Sequence, residues 1–215
     1  MSNVTSLRPE RPEPEARLIE FGLSTPLLHD AFRPGLSHAR NRSSLATRTA
    51  AGNDVYQDSF EQLALRLVPL GWHPVEVYGQ PRLVHPDGLI ALTVASASRI
   101  ADPNHRVHPR TRPKGTATIA SLDRTSTGAV TLDLEEFRED EVSERSGAPL
   151  WFLLYERTER GLNLSLARPA GSDKAGCIVS WSDEIPIASL DNDGDLSIFD
   201  EPDDGEFDVA VTPRS

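Results

Sequence analysis

The chain has one cysteine among 215 residues, Cys177, so neither an intrachain disulfide framework nor a cysteine-cluster zinc site can form. No run of about 18 apolar residues is present, which removes any expectation of a membrane-spanning helix. The opening MSNVTSLRPERPEPEAR lacks the basic-then-apolar order of a secretory signal, so the expected location is cytoplasmic and no membrane partner is expected. Lysine is scarce. Only Lys114 and Lys174 stand among 22 cations, an arginine bias of the kind that GC-rich coding gives a bacterial, phage or mobile-element protein. Also missing are a Gly-rich phosphate loop, a nucleophile elbow and the paired histidines of a zinc protease. No catalytic residue is assigned on this basis, no cofactor is expected, and the reading leans away from an enzyme.

What the chain does have is segregated charge. From Ala175 to Pro213 there is no Lys or Arg, while eleven acids run from Asp183 to Asp208, enough to account for the whole net charge of −11. In the opposite sense, Arg33, Arg40, Arg42 and Arg48 lie in a stretch without acids, and Arg99, Arg106, Arg110, Arg112 and Lys114 face only Asp102. Such asymmetry speaks to partners and association rate, and is silent on fold. Three uses of the acidic segment stay open: keeping the chain soluble, presenting carboxylates to a basic partner, or lying over the chain's own basic segments.

Four segments follow from composition. Residues 1–16 carry Pro9, Pro12 and Pro14 among alternating charges and are expected to be disordered. Residues 17–52 form an Arg-containing arm whose apolar bursts are interrupted by Pro26, Pro34 and Gly35. Such an arm packs either on its own domain or on a partner that orders it. Residues 53–190 form the core domain, and 191–215 the acidic segment.

Within 53–190, Ser59 with Gln62 has capping-box spacing, and Phe60, Leu63, Ala64 and Leu67 fall on one helical face that Pro69 and Gly71 terminate. Strands follow. Val75 and Val77 alternate with polar residues, Gly79 and Gln80 turn the chain, and His85-Pro86-Asp87-Gly88 turns it again before the apolar run Leu89–Ala95. Further strands are expected at Val130–Leu134, Leu150–Tyr155, Leu162–Leu166, Ile178–Trp181 and Ile185–Leu190, with a turn from Asp191 to Asp195. Glu135–Arg145 reads as a solvated surface stretch. The sum is an α+β fold: a mostly antiparallel sheet of meander and hairpins, one or two packed helices, and a flexible N-terminal arm.

The leading functional expectation is a non-enzymatic accessory or regulatory protein of a bacterial or phage protein assembly. It would dock on a protein partner through the arm, with Leu27, Leu28 and Phe32 as apolar anchors and Arg33, Arg40, Arg42 and Arg48 as polar contacts. One alternative is nucleic-acid association through the loop 99–114, whose arginines suit phosphates but lack interleaved aromatics for base stacking. Another is a metal-dependent hydrolase around His85, Asp87, His105 and His108, weakened because prolines place the last two in a loop. Asp191, Asp193 and Asp195 open like a calcium loop but lack its glycine and its closing glutamate. Composition fixes neither the oligomeric state nor whether the sheet is open or closed.

Overall fold

The computed structural model describes residues 13–77, 79–104, 106–115 and 148–191. The disorder expected for 1–12, the strand at Val130–Leu134, the stretch 135–145, His105 and the turn beyond Asp191 fall outside those residues. What is described is α+β. Three helices, α1 (Pro14–Glu20), α2 (Thr25–Arg40) and α3 (Ala50–Leu67), precede a sheet of seven strands. The strands are β1 (His73–Val77), β2 (Gln80–Val84), β3 (Ala91–Ser98), β4 (Arg110–Thr111), β5 (Leu150–Arg157), β6 (Gly161–Ser172) and β7 (Ile178–Asp191).

The helices begin earlier and run longer than composition suggested, for local reasons. Pro14 sits in the first turn of α1, where a missing N–H costs nothing, so the proline-rich opening starts a helix instead of forbidding one. Ser24 caps α2 by accepting a hydrogen bond from the Leu27 amide. This helix then runs straight through Pro34 and Gly35. The glycine explains why: a Cβ there would meet the Val55 Cα at 2.9 Å, so the gap at Gly35 is what lets α3 close against α2. Ser59 does not cap α3. It lies buried in mid-helix and its hydroxyl donates back to the Tyr56 carbonyl, nine residues after the helix has begun. Gly71, with φ of 91°, ends the following 3-10 turn as expected.

Sheet order is β1-β2-β3-β5-β6-β7, with β4 pairing the end of β3. All pairs are antiparallel except β3 with β5, a parallel pair that no local pattern announced. The meander β1–β3 and the hairpin β5–β6 lie where the alternation placed them. The two short strands expected at 178–190 are a single strand, β7.

Strand β5 is buried on both faces and shows the two cores directly. Trp151, Leu153 and Tyr155 join a cluster with Leu18, Leu28, Phe32, Val55 and Leu63 under the helices. Leu150, Phe152 and Leu154 join Val84, Ala91, Ala95 and Ile178 on the second face. That second face is covered because the β6–β7 ribbon, bent by register shifts between Arg168 and Ser172, brings its tip back to β4. The Ile178 amide donates to Thr111 Oγ1, and the Trp181 indole donates to the Pro109 carbonyl.

Both outer strands are guarded. On β1, Pro74 has no amide to offer an incoming strand. Along β7 the Glu184 carbonyl accepts from Arg17 of α1, Pro186 lacks an amide, and the Ala188 carbonyl accepts from His29 Nε2 of α2. Each described outer strand thus has part of its edge closed to pairing with another chain, β7 over a longer stretch than β1.

Candidate interaction surface

One end of the sheet gathers the C-terminal ends of β3, β5 and β7 with the start of β6. Ser96 faces Tyr155, Arg157 faces Leu162, and Gly161 faces Asp191. The start of α3 is tied to the same end, because the Tyr155 hydroxyl donates to the Gly52 carbonyl. Burial pushes that hydroxyl up to about 12. Residues 41–49, which join α2 to α3, therefore sit here too. Within them Leu45 is 94% exposed, the most open large apolar side chain described.

Arginines from separate stretches of sequence meet at this end. Arg40 and Arg48 bracket the connector, and Arg42 grips Asp54 through two hydrogen bonds of 2.7 and 2.6 Å, holding that carboxyl below its usual range. Arg157 is close enough to Asp54 to lower it further, and Arg112 and Arg157 both act on Tyr155. Arg99 arrives with φ of 64°, its amide and that of Ile100 donating to the two Glu156 carboxylate oxygens at 2.8 and 3.0 Å. Arg160 sits within the β5–β6 turn, its amide donating to Thr158 Oγ1. The guanidinium groups of Arg40, Arg48, Arg112, Arg157 and Arg160 form no ion pair with another described residue. Beside Arg160 lies an open cleft of about 520 Å³, lined also by the acids Glu159 and Asp191 and by Leu162, Asn163 and Ser189.

The residues singled out from sequence divide sharply. Leu28 and Phe32 are fully buried in the chain's own core, and Leu27 packs against it, so these three are not free anchors for a partner. The first of the two uses open to the arm is the one they serve. Arg33 lies 3.4 Å from Asp30 on α2, and Arg42 is engaged as described, whereas Arg40 and Arg48 stand exposed.

The basic loop is not one surface. Arg99 belongs to the arginine end, Arg112 follows β4 on the way to Lys114 and acts on Tyr155 from there, and Arg106 stands exposed with its amide on Asn104 Oδ1. Arg110 pairs with Asp173 at 2.7 Å across the ribbon tip. Asp173 also accepts the Cys177 and Ala175 amides, and these contacts hold its carboxyl low. Lys114 lies over the Phe152 ring at 5.8 Å, where burial pushes its pKa down. A phosphate contact at Lys114 or Arg110 would have to disrupt this packing.

Nor do the metal candidates converge. His85 is buried against Trp72, edge to face, and its Nδ1 accepts the Asp87 amide, a local turn interaction. His108 is on the other side of the sheet's strand order, 3.9 Å from Glu184 on β7. Among the described residues no three His, Cys, Asp or Glu side chains come together as a metal would need.

Sequence reasoning missed Leu45, Arg157 and Arg160. The turn at Thr158–Gly161 was legible, yet its role beside Gly52 and Asp191 depends on strand order, which no local signal carried.

Compared with known protein families, curated proteins and solved structures, the chain matches none.

Proposed function

We propose that this chain is a non-enzymatic accessory or regulatory protein of a bacterial or phage assembly, docking on an acidic surface of a protein partner through the arginine end. This reading keeps the arm as the docking element but moves the contact from α2 to the connector. The observation that carries it is Leu45, 94% exposed between Arg40 and Arg48. An apolar side chain so placed gains free energy only when something covers it, at about 25 cal/mol per Å² of apolar area, and the flanking arginines supply orientation and association rate. The guarded outer strands argue for side-chain recognition over strand addition. The test is capture of partners from nuclease-treated lysate of the source cell by the full chain and by an R40A/L45S/R48A variant. The proposal expects a stoichiometric protein held by the first and lost by the second; retention by both rejects it.

A second reading has its own support. Arg40, Arg48, Arg112, Arg157 and Arg160 come from three stretches of chain and suit a phosphate backbone. Nucleic-acid association would then give a salt-dependent shift of labelled DNA or RNA that R112A/R157A/R160A abolishes, with no protein retained after nuclease.

A further inference from the structure

We propose that the acidic segment 192–215 docks in cis on the arginine end of the sheet. Only the corollary, that a partner must displace it, rests on the function proposed above.

Strand β7 ends at Asp191, which pairs with Gly161 and forms part of the wall of the cleft beside Arg160. The segment that follows therefore starts within the cationic end. Asp193 is two residues further on and Asp208 seventeen, so the acids reach up to about 55–60 Å along an extended chain. That is ample to pass from Arg160 to Arg157 and the connector.

Charge selects this occupant. Residues 192–215 hold eight acids, from Asp193 to Asp208, against Arg214 alone. Four described carboxylates lie at the arginine end: Asp54 is engaged by Arg42, Glu156 by the Arg99 and Ile100 amides, and Glu159 and Asp191 line the cleft beside Arg160, so arginines still outnumber acids there. Arg40, Arg48, Arg112, Arg157 and Arg160 have no described carboxylate partner. A covalently tethered acidic segment meets them at an effective concentration that a free acidic peptide reaches only in the millimolar range. Phe199 and Phe207 stand next to these acids in sequence and bring apolar surface of the kind that the exposed Leu45 could pack against. A segment held mainly by charge is also displaceable, since exposed pairs contribute little each and weaken with salt.

The full chain tests this without any partner present. A nitroxide is placed at position 197 through Ser197→Cys; the native Cys177 is 4% exposed and stays unlabelled. The amide resonances of 41–49 and 158–161 should fall about twofold or more at about 10 mM salt and recover at about 1 M, where the screening length drops from about 30 Å to about 3 Å. Adding R40A/R48A/R160A to the labelled chain should restore them at low salt. No broadening at these residues, or equal broadening around Val68–Leu70 and Leu89, overturns the docking. Because no partner enters the sample, loss of this result leaves the proposed function standing, and loss of partner capture leaves this one standing.

Discussion

Residues 17–39 and 40–49 are neighbours in sequence, and both mix arginines with scattered leucines, yet they have opposite fates. The first stretch puts Leu18, Leu23, Leu28, Ala31, Phe32, Leu36 and Ala39 into the core. The second leaves Leu45 almost wholly in water. Spacing is the difference. Leu28, Ala31, Phe32, Gly35, Leu36 and Ala39 recur at helical intervals and form one stripe, whereas Leu45 stands alone among serines, threonines and arginines. An isolated leucine cannot build a core, and here it is available for something else.

Breaking the buried half should have the largest effect. Phe32 is fully buried with its ring 5.7 Å from that of Tyr155, so Phe32→Ala should cost about 3–5 kcal/mol, read from urea unfolding. A loss under about 1 kcal/mol would mean that α2 does not pack as described.

The joint between the halves comes next. Tyr155→Phe removes the hydrogen bond to Gly52 and should cost about 1 kcal/mol at neutral pH. It should also change the alkaline limb. An unfolded tyrosine ionises near 10 and the folded Tyr155 near 12, so across that window the folded state holds a proton the unfolded state has lost. Stability therefore falls as pH rises from about 10 to about 12 in the natural chain, and falls less steeply in Tyr155→Phe. Identical slopes in the two proteins would contradict the burial of this phenol.

Smallest of all should be the stability effect at the exposed half. R40A/L45S/R48A removes no core contact and should unfold within about 0.5 kcal/mol of the natural chain. A larger loss would place the connector in the structural core and remove the reason to regard it as an interaction element.

Much of this was legible where interactions are local. The alternation at Val75–Val77, the apolar run at Leu150–Tyr155 and the stripe at Leu63–Leu67 each report burial of neighbouring residues, and each forms the element expected. Pro34 and Gly35 misled because their usual meaning is a break; here the close contact with Val55 outweighs it. The first half of α3 was hidden because Val55 is its one large buried aliphatic before Ser59. The arginine end was illegible in principle. It depends on the parallel pairing of β3 with β5 and on the return of β7 beside Gly161, both long-range choices. Two of the arginines that matter, Arg157 and Arg160, lie in neither of the basic stretches that composition picked out.

The opposite end of the sheet supplies the control for the central claim. It exposes Val68, Leu70 and Leu89, apolar side chains without the arginines. Partner capture should therefore be compared among the natural chain, R40A/L45S/R48A and V68S/L70S/L89S, each full length and each shown to fold. The account predicts that the arginine-end variant loses the partner while the apolar-end variant keeps it. Loss by the apolar-end variant with retention by the other would place the interaction surface at the wrong end of the molecule.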